Sequence, residues 1–210
     1  MKTSLLRKTF SLAACAVITM GSAMGQAAKV IGDKPTFDDL QSPEFPGAGG
    51  RQKMFKPKEW LEIETKLKVA ISPEPRSKTC EKLTIKWYVA VKNPERIGTM
   101  LLLTKEVEHV NVPLDEDIFC SVYLSPASIK RLTGNSKAGK HSVEYVGYEV
   151  LLNGVKVCQD TNKGKEGWWN MPSDKISRSD TLQLLNKSET PFRDMWWDRY
   201  AEVGEARASR

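Results

Sequence analysis

Residues 61–71 read LEIETKLKVAI and residues 83–91 read LTIKWYVAV. In the first stretch apolar residues alternate with charged ones, and in the second they alternate with mostly polar or small ones. A period of two places one side of an extended strand in a core and the other in solvent. Further strand-like runs follow at TMLLLTKEV, HVNV and IFCSVYL, from residue 99 to residue 124. About seven short antiparallel strands in residues 58–162 predict an all-β, immunoglobulin-like antiparallel β-sandwich, with Trp87 filling its core.

A hairpin and a short helix complete this β zone. Asn153 and Gly154 separate YVGYEVLL from VKVCQD, and an Asn-Gly pair suits the type I′ turn, which needs positive φ at both positions. Before this hairpin, SPASIKRLTG offers Ser125 as N-cap, Pro126 at the first helical position and Gly134 just past the end. These signals predict one short helix before the C-terminal hairpin.

The N-terminus predicts export. MKTSLLRK is followed by the apolar run TFSLAACAVITM and the small residues GSAMGQAA, which is the order of a secretory signal peptide covering residues 1–27. An alternative stays open, because LAAC at residues 12–15 has the pattern of a lipoprotein box in which Cys15 is lipidated. Both readings place the protein in the periplasm, at the outer membrane or on the cell surface.

Charge and motifs argue against several classes of function. Removal of Lys2, Arg7 and Lys8 with the signal leaves 29 basic against 26 acidic residues, and the basic residues are dispersed, so we expect no nucleic-acid partner. No G-x-S-x-G, H-E-x-x-H, phosphate-binding loop or dinucleotide motif occurs, so we predict a protein without catalytic residues. With two histidines and no C-x-x-C pair, we expect neither a metal nor another cofactor.

Three cysteines follow the signal peptide, which in an oxidising compartment allows one disulfide and one free thiol. A two-residue turn in the hairpin would pair Glu149 with Cys158 and turn Cys158 away from the core. The parity of Cys120 with its apolar neighbours buries it, whereas Cys80 lies in the turn before the Trp87 strand. We therefore predict a disulfide between Cys80 and Cys158.

The regions flanking the sandwich are less regular. Residues 28–57 are rich in proline and glycine and have no sustained periodicity, so they are predicted to be a flexible linker or an extended arm. Residues 163–203 form a C-terminal extension, and residues 204–210 are predicted to be a disordered tail. Whether the arm is ordered is left open by its scattered phenylalanines.

The C-terminal extension carries the candidate binding residues. Thr190 and Pro191 suit the start of a helix, and Phe192, Trp196 and Tyr200 share one helical stripe. We therefore predict a helix over residues 190–202 that docks on the sandwich and leaves Trp197 at its exposed edge. Trp168 and Trp169 would point to opposite sides of an extended chain. Candidate partner-binding residues are thus Trp168, Trp169 and Trp197.

Four stretches carry a family resemblance: IKWYVAVKN, LLLTKEVEHVNVP, VYLSPASIKRLTG and LNKSETPFRDMWWDRYAEV. Together they resemble a family of small exported proteins of mucin-dwelling gut bacteria, encoded beside type IV pilus assembly genes. The match spans about residues 35–203. The resemblance implies an immunoglobulin-like fold and a pilus-associated place in the cell envelope, and it supplies no active site.

The resulting prediction is a non-enzymatic, secreted β-sandwich that binds or assembles type IV pilus components through a protein partner. The alternative from another class is a glycan-binding module, in which exposed tryptophans stack on sugar rings. Tryptophans exposed in a shallow groove would favour this alternative, and burial of Trp168, Trp169 and Trp197 would remove its basis. The sequence does not identify the partner or the oligomeric state.

Overall fold

The computed structural model describes residues 27–44, 56–135 and 139–204. The predicted signal peptide up to residue 26, the lipidation site Cys15 and residues 205–210 of the predicted tail lie outside these ranges. The elements, in chain order, are β1 (Ala27–Gly32), β2 (Thr36–Gln41), β3 (Glu59–Ser72), β4 (Thr79–Lys92), β5 (Met100–Pro113), β6 (Asp117–Leu124), α1 (Pro126–Thr133), β7 (Val143–Leu152), β8 (Val155–Thr161), β9 (Ile176–Arg178) and β10 (Leu185–Asn186), with single 3-10 turns at Lys140–Ser142, Trp168–Asn170 and Lys187–Glu189.

Two five-stranded sheets form a β-sandwich, as the alternation predicts. In the first sheet the order is β1-β3-β6-β10, and β2 also pairs with β3. In the second sheet the order is β8-β7-β4-β5-β9, with β9 parallel to β5 and the other pairs antiparallel. The inward residues of both sheets build one core, in which Trp87 is fully buried and contacts the Tyr148 ring at a centroid distance of 5.8 Å.

Residues 27–41 belong to the first sheet. β1 pairs with residues 67–72 of β3 and β2 pairs with residues 59–64, so the two short strands share one edge of β3. This part of the predicted linker is therefore an ordered arm. Its composition gives little sign of pairing, because the partner strand is distant in sequence.

The short helix and the hairpin turn match their local signals. Ser125 Oγ accepts from the Ser128 amide, Pro126 opens α1 and Gly134 ends it at φ 73°. Asn153 and Gly154 have φ values of 50° and 80°, as a type I′ turn requires. These features depend on neighbouring residues alone, which is why the sequence shows them.

The hairpin register differs from the prediction beyond its first two pairs. Leu152 pairs with Val155 as expected, but an irregularity between Val150 and Leu151 brings Cys158 opposite Val150. A bulge of one residue reverses the face of every side chain beyond it. Cys158 consequently packs against the core instead of pointing away from it.

The predicted disulfide between Cys80 and Cys158 is absent, and the thiols of Cys80, Cys120 and Cys158 are all free. Cys80 belongs to β4, where it pairs with Val112 and is buried. Cys158 belongs to β8, where it pairs with Val150 and packs against the core. Cys120 is fully buried, as its parity predicts. Burial raises the pKa of all three thiols.

The predicted helix over residues 190–202 is wrong. The segment forms successive turns closed by i+3 hydrogen bonds, such as Met195 N to Phe192 O at 3.0 Å and Arg199 N to Trp196 O at 3.1 Å. Between them Trp196 adopts φ 54°, which interrupts any right-handed helix. Further along, the chain pairs with β6 around Phe119. Tertiary pairing thus overrides the helical spacing of the aromatic residues. Among the described residues, no helix has the length and apolar character needed to cross a membrane.

Candidate functional site

The outward face of the first sheet carries an unusual set of aromatic and acidic side chains. Because side chains alternate along a strand, β3 and β6 present one set to the core and the other to the outside. The outward set includes Trp60, Glu62, Glu64, Phe119, Ser121 and Tyr123. Residues 187–204, called here the C-terminal segment, pack on this face through Phe192, Arg199 and Tyr200.

Phe192 anchors the C-terminal segment. Its side chain is 1% exposed. It stacks on Tyr123 at 5.4 Å between ring centroids and meets the edge of Trp60 at 5.8 Å. Trp196 continues the row, with its ring 6.4 Å from Phe192 and 6.4 Å from Tyr200. The segment is therefore held by a continuous row of aromatic contacts, in which aromatic pairs add stability beyond their buried area.

Two adjacent tryptophans remain on the surface of this segment. Trp196 is 45% exposed and Trp197 is 67% exposed, and together they form what we call the aromatic patch. Trp196 also has a positive φ of 54°, a conformation that is a genuine outlier for a bulky residue and costs of order 1–3 kcal/mol. Both the exposure and the backbone conformation oppose stability, and such features concentrate at binding sites.

Lys187 supports the patch from below. Its ammonium group donates to the carbonyl oxygens of Arg193, at 3.2 Å, and Met195, at 2.5 Å. The same nitrogen lies 5.8 Å from the Trp197 ring centroid and 5.0 Å from that of Tyr200, within the range of cation–π attraction. Burial lowers the pKa of Lys187. The charge is thus used inside the segment, where it orients one face of Trp197.

Arg199 joins the segment to β3 and β6. Its guanidinium lies 3.8 Å from the Phe119 ring centroid and forms an ion pair with Glu64 at 2.7 Å. The backbone beside it pairs with β6: the Phe119 amide donates to the Arg199 carbonyl at 3.1 Å, and the Ala201 amide donates to the Phe119 carbonyl at 3.0 Å.

Glu62 and Glu64 lie side by side beneath Tyr200. Tyr123 donates to Glu62 Oε1 at 2.7 Å, and the Tyr200 hydroxyl lies 3.0 Å from the same oxygen. Tyr200 Oη also lies 2.5 Å from Glu64 Oε2. Burial raises the pKa of Glu62 above the ordinary glutamate value, against the opposing hydrogen bond from Tyr123. Burial likewise raises the pKa values of Tyr123 and Tyr200, so both phenols stay protonated.

The end of the segment also reaches the second sheet. The Val110 amide donates to the Glu202 carbonyl at 3.0 Å, and the Gly204 amide donates to the Glu108 carbonyl at 2.8 Å. His109 is buried beneath this crossing, with Nδ1 3.3 Å from the Ala201 carbonyl oxygen. Burial lowers the pKa of His109 to about 4. In the β4–β5 register His109 lies opposite Leu83, which is fully buried, so it shares the inward side of β5 with buried Val107 and is covered there by the C-terminal segment.

The other two predicted partner-binding residues lie on the second sheet and are buried. Trp168 is 8% exposed and Trp169 is 6% exposed. Trp169 stacks on Tyr88 at 4.8 Å and donates to Glu149 Oε1 at 3.2 Å, and Trp168 donates to Thr161 Oγ1 at 3.1 Å. Both indoles are satisfied within the fold and present no surface to a partner.

The structure therefore separates Trp168 and Trp169 from Trp197 instead of bringing the three together. Sequence reasoning missed Trp196, because the helical spacing assigned it to the buried stripe. The adjacency of Trp196 and Trp197 was a signal that at least one of them is exposed, since a regular strand or helix does not bury two neighbouring side chains on one face. Among the described residues, no cluster of three or more histidine, cysteine, aspartate or glutamate side chains could hold a metal ion.

The fold and the patch define a β-sandwich protein with an exposed aromatic surface, and comparison with known proteins identifies its relatives. A protein-family model matches residues 21–207 of the chain. The crystal structure of a protein from Akkermansia muciniphila superimposes with a TM-score of 0.82, at 38% sequence identity, covering 87% of this chain and 96% of that one. No curated protein matches the chain. The chain belongs to the family of the matching model, together with the Akkermansia muciniphila protein.

Proposed function

We propose that the chain is an exported, non-enzymatic protein of the cell envelope, with an immunoglobulin-like sandwich, that contacts a protein partner in type IV pilus assembly. The aromatic patch is the surface that makes the contact. The main support is the exposure of Trp197: 67% of its surface is accessible, and its ring contacts Lys187 instead of packing into the fold.

Several features support this proposal. The N-terminal sequence has the order of an export signal. The four stretches that resemble pilus-associated exported proteins include MWWDRY, which contains the patch. The structural relative comes from a mucin-dwelling gut bacterium, the setting of the family that these stretches resemble. Tryptophan and arginine are also the residues most enriched at the energetic centres of protein interfaces.

A protein partner fits the patch better than a glycan does. Of the three tryptophans considered for sugar stacking, Trp168 and Trp169 are buried. Trp197 uses one face on Lys187. Neither of the two cavities described on the second sheet, of about 280 and 420 Å³, is lined by Trp196 or Trp197. The patch is an exposed apolar surface on turns, suited to contact with an apolar surface of a partner.

Site-specific photo-crosslinking in the native cell tests the proposal. Benzoylphenylalanine replaces Trp197 in one strain and Val155 in another; Val155 is also 67% exposed but lies on β8 of the second sheet. We expect an adduct with a type IV pilus assembly component at position 197 and none at position 155.

Equal adducts at both positions, or adducts at position 197 with proteins unrelated to pili, would contradict the proposal. The glycan-binding alternative requires two results. No protein adduct forms at position 197, and the purified protein binds mucin glycans in a way that Trp197→Ala abolishes.

A further inference from the structure

Glu62 occupies a junction between the first sheet and the C-terminal segment. Its Oε1 atom is 2.7 Å from the hydroxyl of Tyr123, on β6, and 3.0 Å from the hydroxyl of Tyr200, on the segment. Glu64, two residues along β3, has the guanidinium of Arg199 as its ion-pair partner. Within the described ranges Glu62 forms no ion pair, and its two side-chain contacts are to neutral phenols.

The cluster around Glu62 has fewer hydroxyl protons than oxygen–oxygen contacts. Four oxygen–oxygen contacts connect the side chains in a row: Ser121 to Tyr123, Tyr123 to Glu62, Glu62 to Tyr200, and Tyr200 to Glu64. With both carboxylates ionised, the row holds the hydroxyl protons of Ser121, Tyr123 and Tyr200 and no others, since an ionised carboxylate is an acceptor alone.

The distances show which contact lacks a proton. Tyr200 Oη is 2.5 Å from Glu64 Oε2 and 3.0 Å from Glu62 Oε1. Because a hydroxyl has one proton, the shorter contact takes it, as strong charge-assisted hydrogen bonds are short. Two oxygen atoms then face each other between Tyr200 and Glu62 without a proton. A proton bound to the Glu62 carboxyl group would complete the row.

We propose that Glu62 binds one proton in mildly acidic solution and that this proton fastens the C-terminal segment to the first sheet. Presentation of the aromatic patch then depends on pH, a consequence that rests on the proposed function, whereas the fastening itself does not. The acidic form holds Tyr200 through a complete row of hydrogen bonds. In the form without this proton, the segment opens more readily.

Other charged groups around Glu62 leave it without a direct cation. Glu64 is the nearest like charge, and Arg199 is directed at Glu64. Lys187 donates to backbone carbonyl groups. On β2, Asp38 is in register with Glu62 and forms an ion pair with Lys140 at 2.9 Å.

The direction of the effect follows from linkage. Burial, the largest influence, raises the pKa of Glu62 above 4.5 in the folded protein. A carboxyl group with a raised folded pKa contributes stability that is fully present below its unfolded pKa and is lost as pH rises through the folded value. The segment should therefore be most tightly bound near pH 4.5 and should loosen as pH rises past the folded pKa of Glu62.

Carboxyl-carbon NMR titration of the purified protein tests the proton count directly. If the Tyr200 proton belongs to Glu64, Tyr200→Phe removes the unfavourable oxygen–oxygen contact and lowers the pKa of Glu62. If the Tyr200 proton instead belongs to Glu62, the same substitution removes a donor to the carboxylate and raises the pKa. The proposal requires the downward shift, and an upward shift or no shift overturns it.

Hydrogen exchange of the Ala201 and Gly204 amides measures how firmly the segment is held, because these amides donate to the carbonyl oxygens of Phe119 on β6 and Glu108 on β5. The control is Glu62→Gln, which keeps the shape of the side chain but cannot titrate. Buried His109 affects both proteins equally, so the ratio of wild-type to variant protection isolates Glu62. Amides of β4 report any change in global stability.

We expect the wild-type to variant ratio of Ala201 protection to rise as pH falls toward 4.5. The rise should be about tenfold for each unit by which the folded pKa exceeds the ordinary value. A ratio that stays constant or falls over this range overturns the proposal. Because these measurements need no partner, the proton-linked fastening can fail while the pilus proposal stands, and the reverse also holds.

Discussion

Phe192 should be the residue on which the C-terminal segment most depends. Its side chain is 1% exposed and contacts the rings of Trp60, Tyr123 and Trp196. Truncating a buried phenylalanine to alanine typically costs about 3–5 kcal/mol, from lost transfer free energy and the cavity left behind. With three aromatic partners, we expect Phe192→Ala to lower the free energy of unfolding by about 4 kcal/mol.

The matched control lies five residues away in the same segment. Trp197 is larger than Phe192 but 67% exposed, so Trp197→Ala should cost under about 1 kcal/mol, as surface changes usually do. Urea denaturation followed by far-UV circular dichroism measures both losses under identical conditions. Circular dichroism is chosen because Trp197→Ala removes a fluorophore.

Two outcomes would refute this reasoning. Equal, large losses would mean that Trp197 packs into the fold and that the aromatic patch does not exist. A loss below about 1 kcal/mol for Phe192→Ala would mean that the segment does not unfold cooperatively with the sandwich, so that its contacts contribute nothing to global stability.

Further expectations concern single positions. Trp196→Gly should be at least as stable as Trp196→Ala in urea, because glycine relieves the φ of 54°, although glycine ordinarily costs about 0.5–1 kcal/mol. Gly147→Ala should lower the melting temperature, since its Cβ would lie 2.1 Å from Trp169. Burial lowers the pKa of His109 from 6.5 to about 4, so the free energy of unfolding should fall by up to roughly 1.4 kcal/mol per pH unit as pH drops from 6.5 to 4. Urea titrations of His109→Gln should lack this dependence. Iodoacetamide should label half-buried Cys158 before the buried thiols of Cys80 and Cys120, and peptide mass identifies each labelled site.

The strands of the sandwich could be predicted because their signal is periodic and local. Alternation in residues 61–71 and 83–91 matches β3 and β4, and the caps of α1 match Ser125 and Gly134. The Asn153-Gly154 turn is equally local. Each of these features follows from residues within a few positions of one another, so no knowledge of the fold is needed.

The misses share a dependence on distant partners. β1 and β2 pair with β3 across tens of residues, and their own sequence shows no alternation. One irregularity beside Val150 turns Cys158 to the opposite face from the predicted one. The predicted disulfide depended on that face and is therefore absent. Trp168 and Trp169 are both buried because a 3-10 turn, instead of an extended chain, directs them onto the second sheet.

The C-terminal segment shows why the candidate site was the least predictable part. A helix would satisfy the spacing of its aromatic residues, but the backbone at Arg199 and Ala201 instead completes hydrogen bonds left open at the edge of β6. A few residues later, the chain forms the same kind of bond with β5 at Glu108. One short segment therefore bonds to β6 of the first sheet and to β5 of the second. Because a helix cannot pair with a strand edge, this contact requires extended backbone around residues 199–204, and the turns that precede it bring Trp196 and Trp197 to the surface.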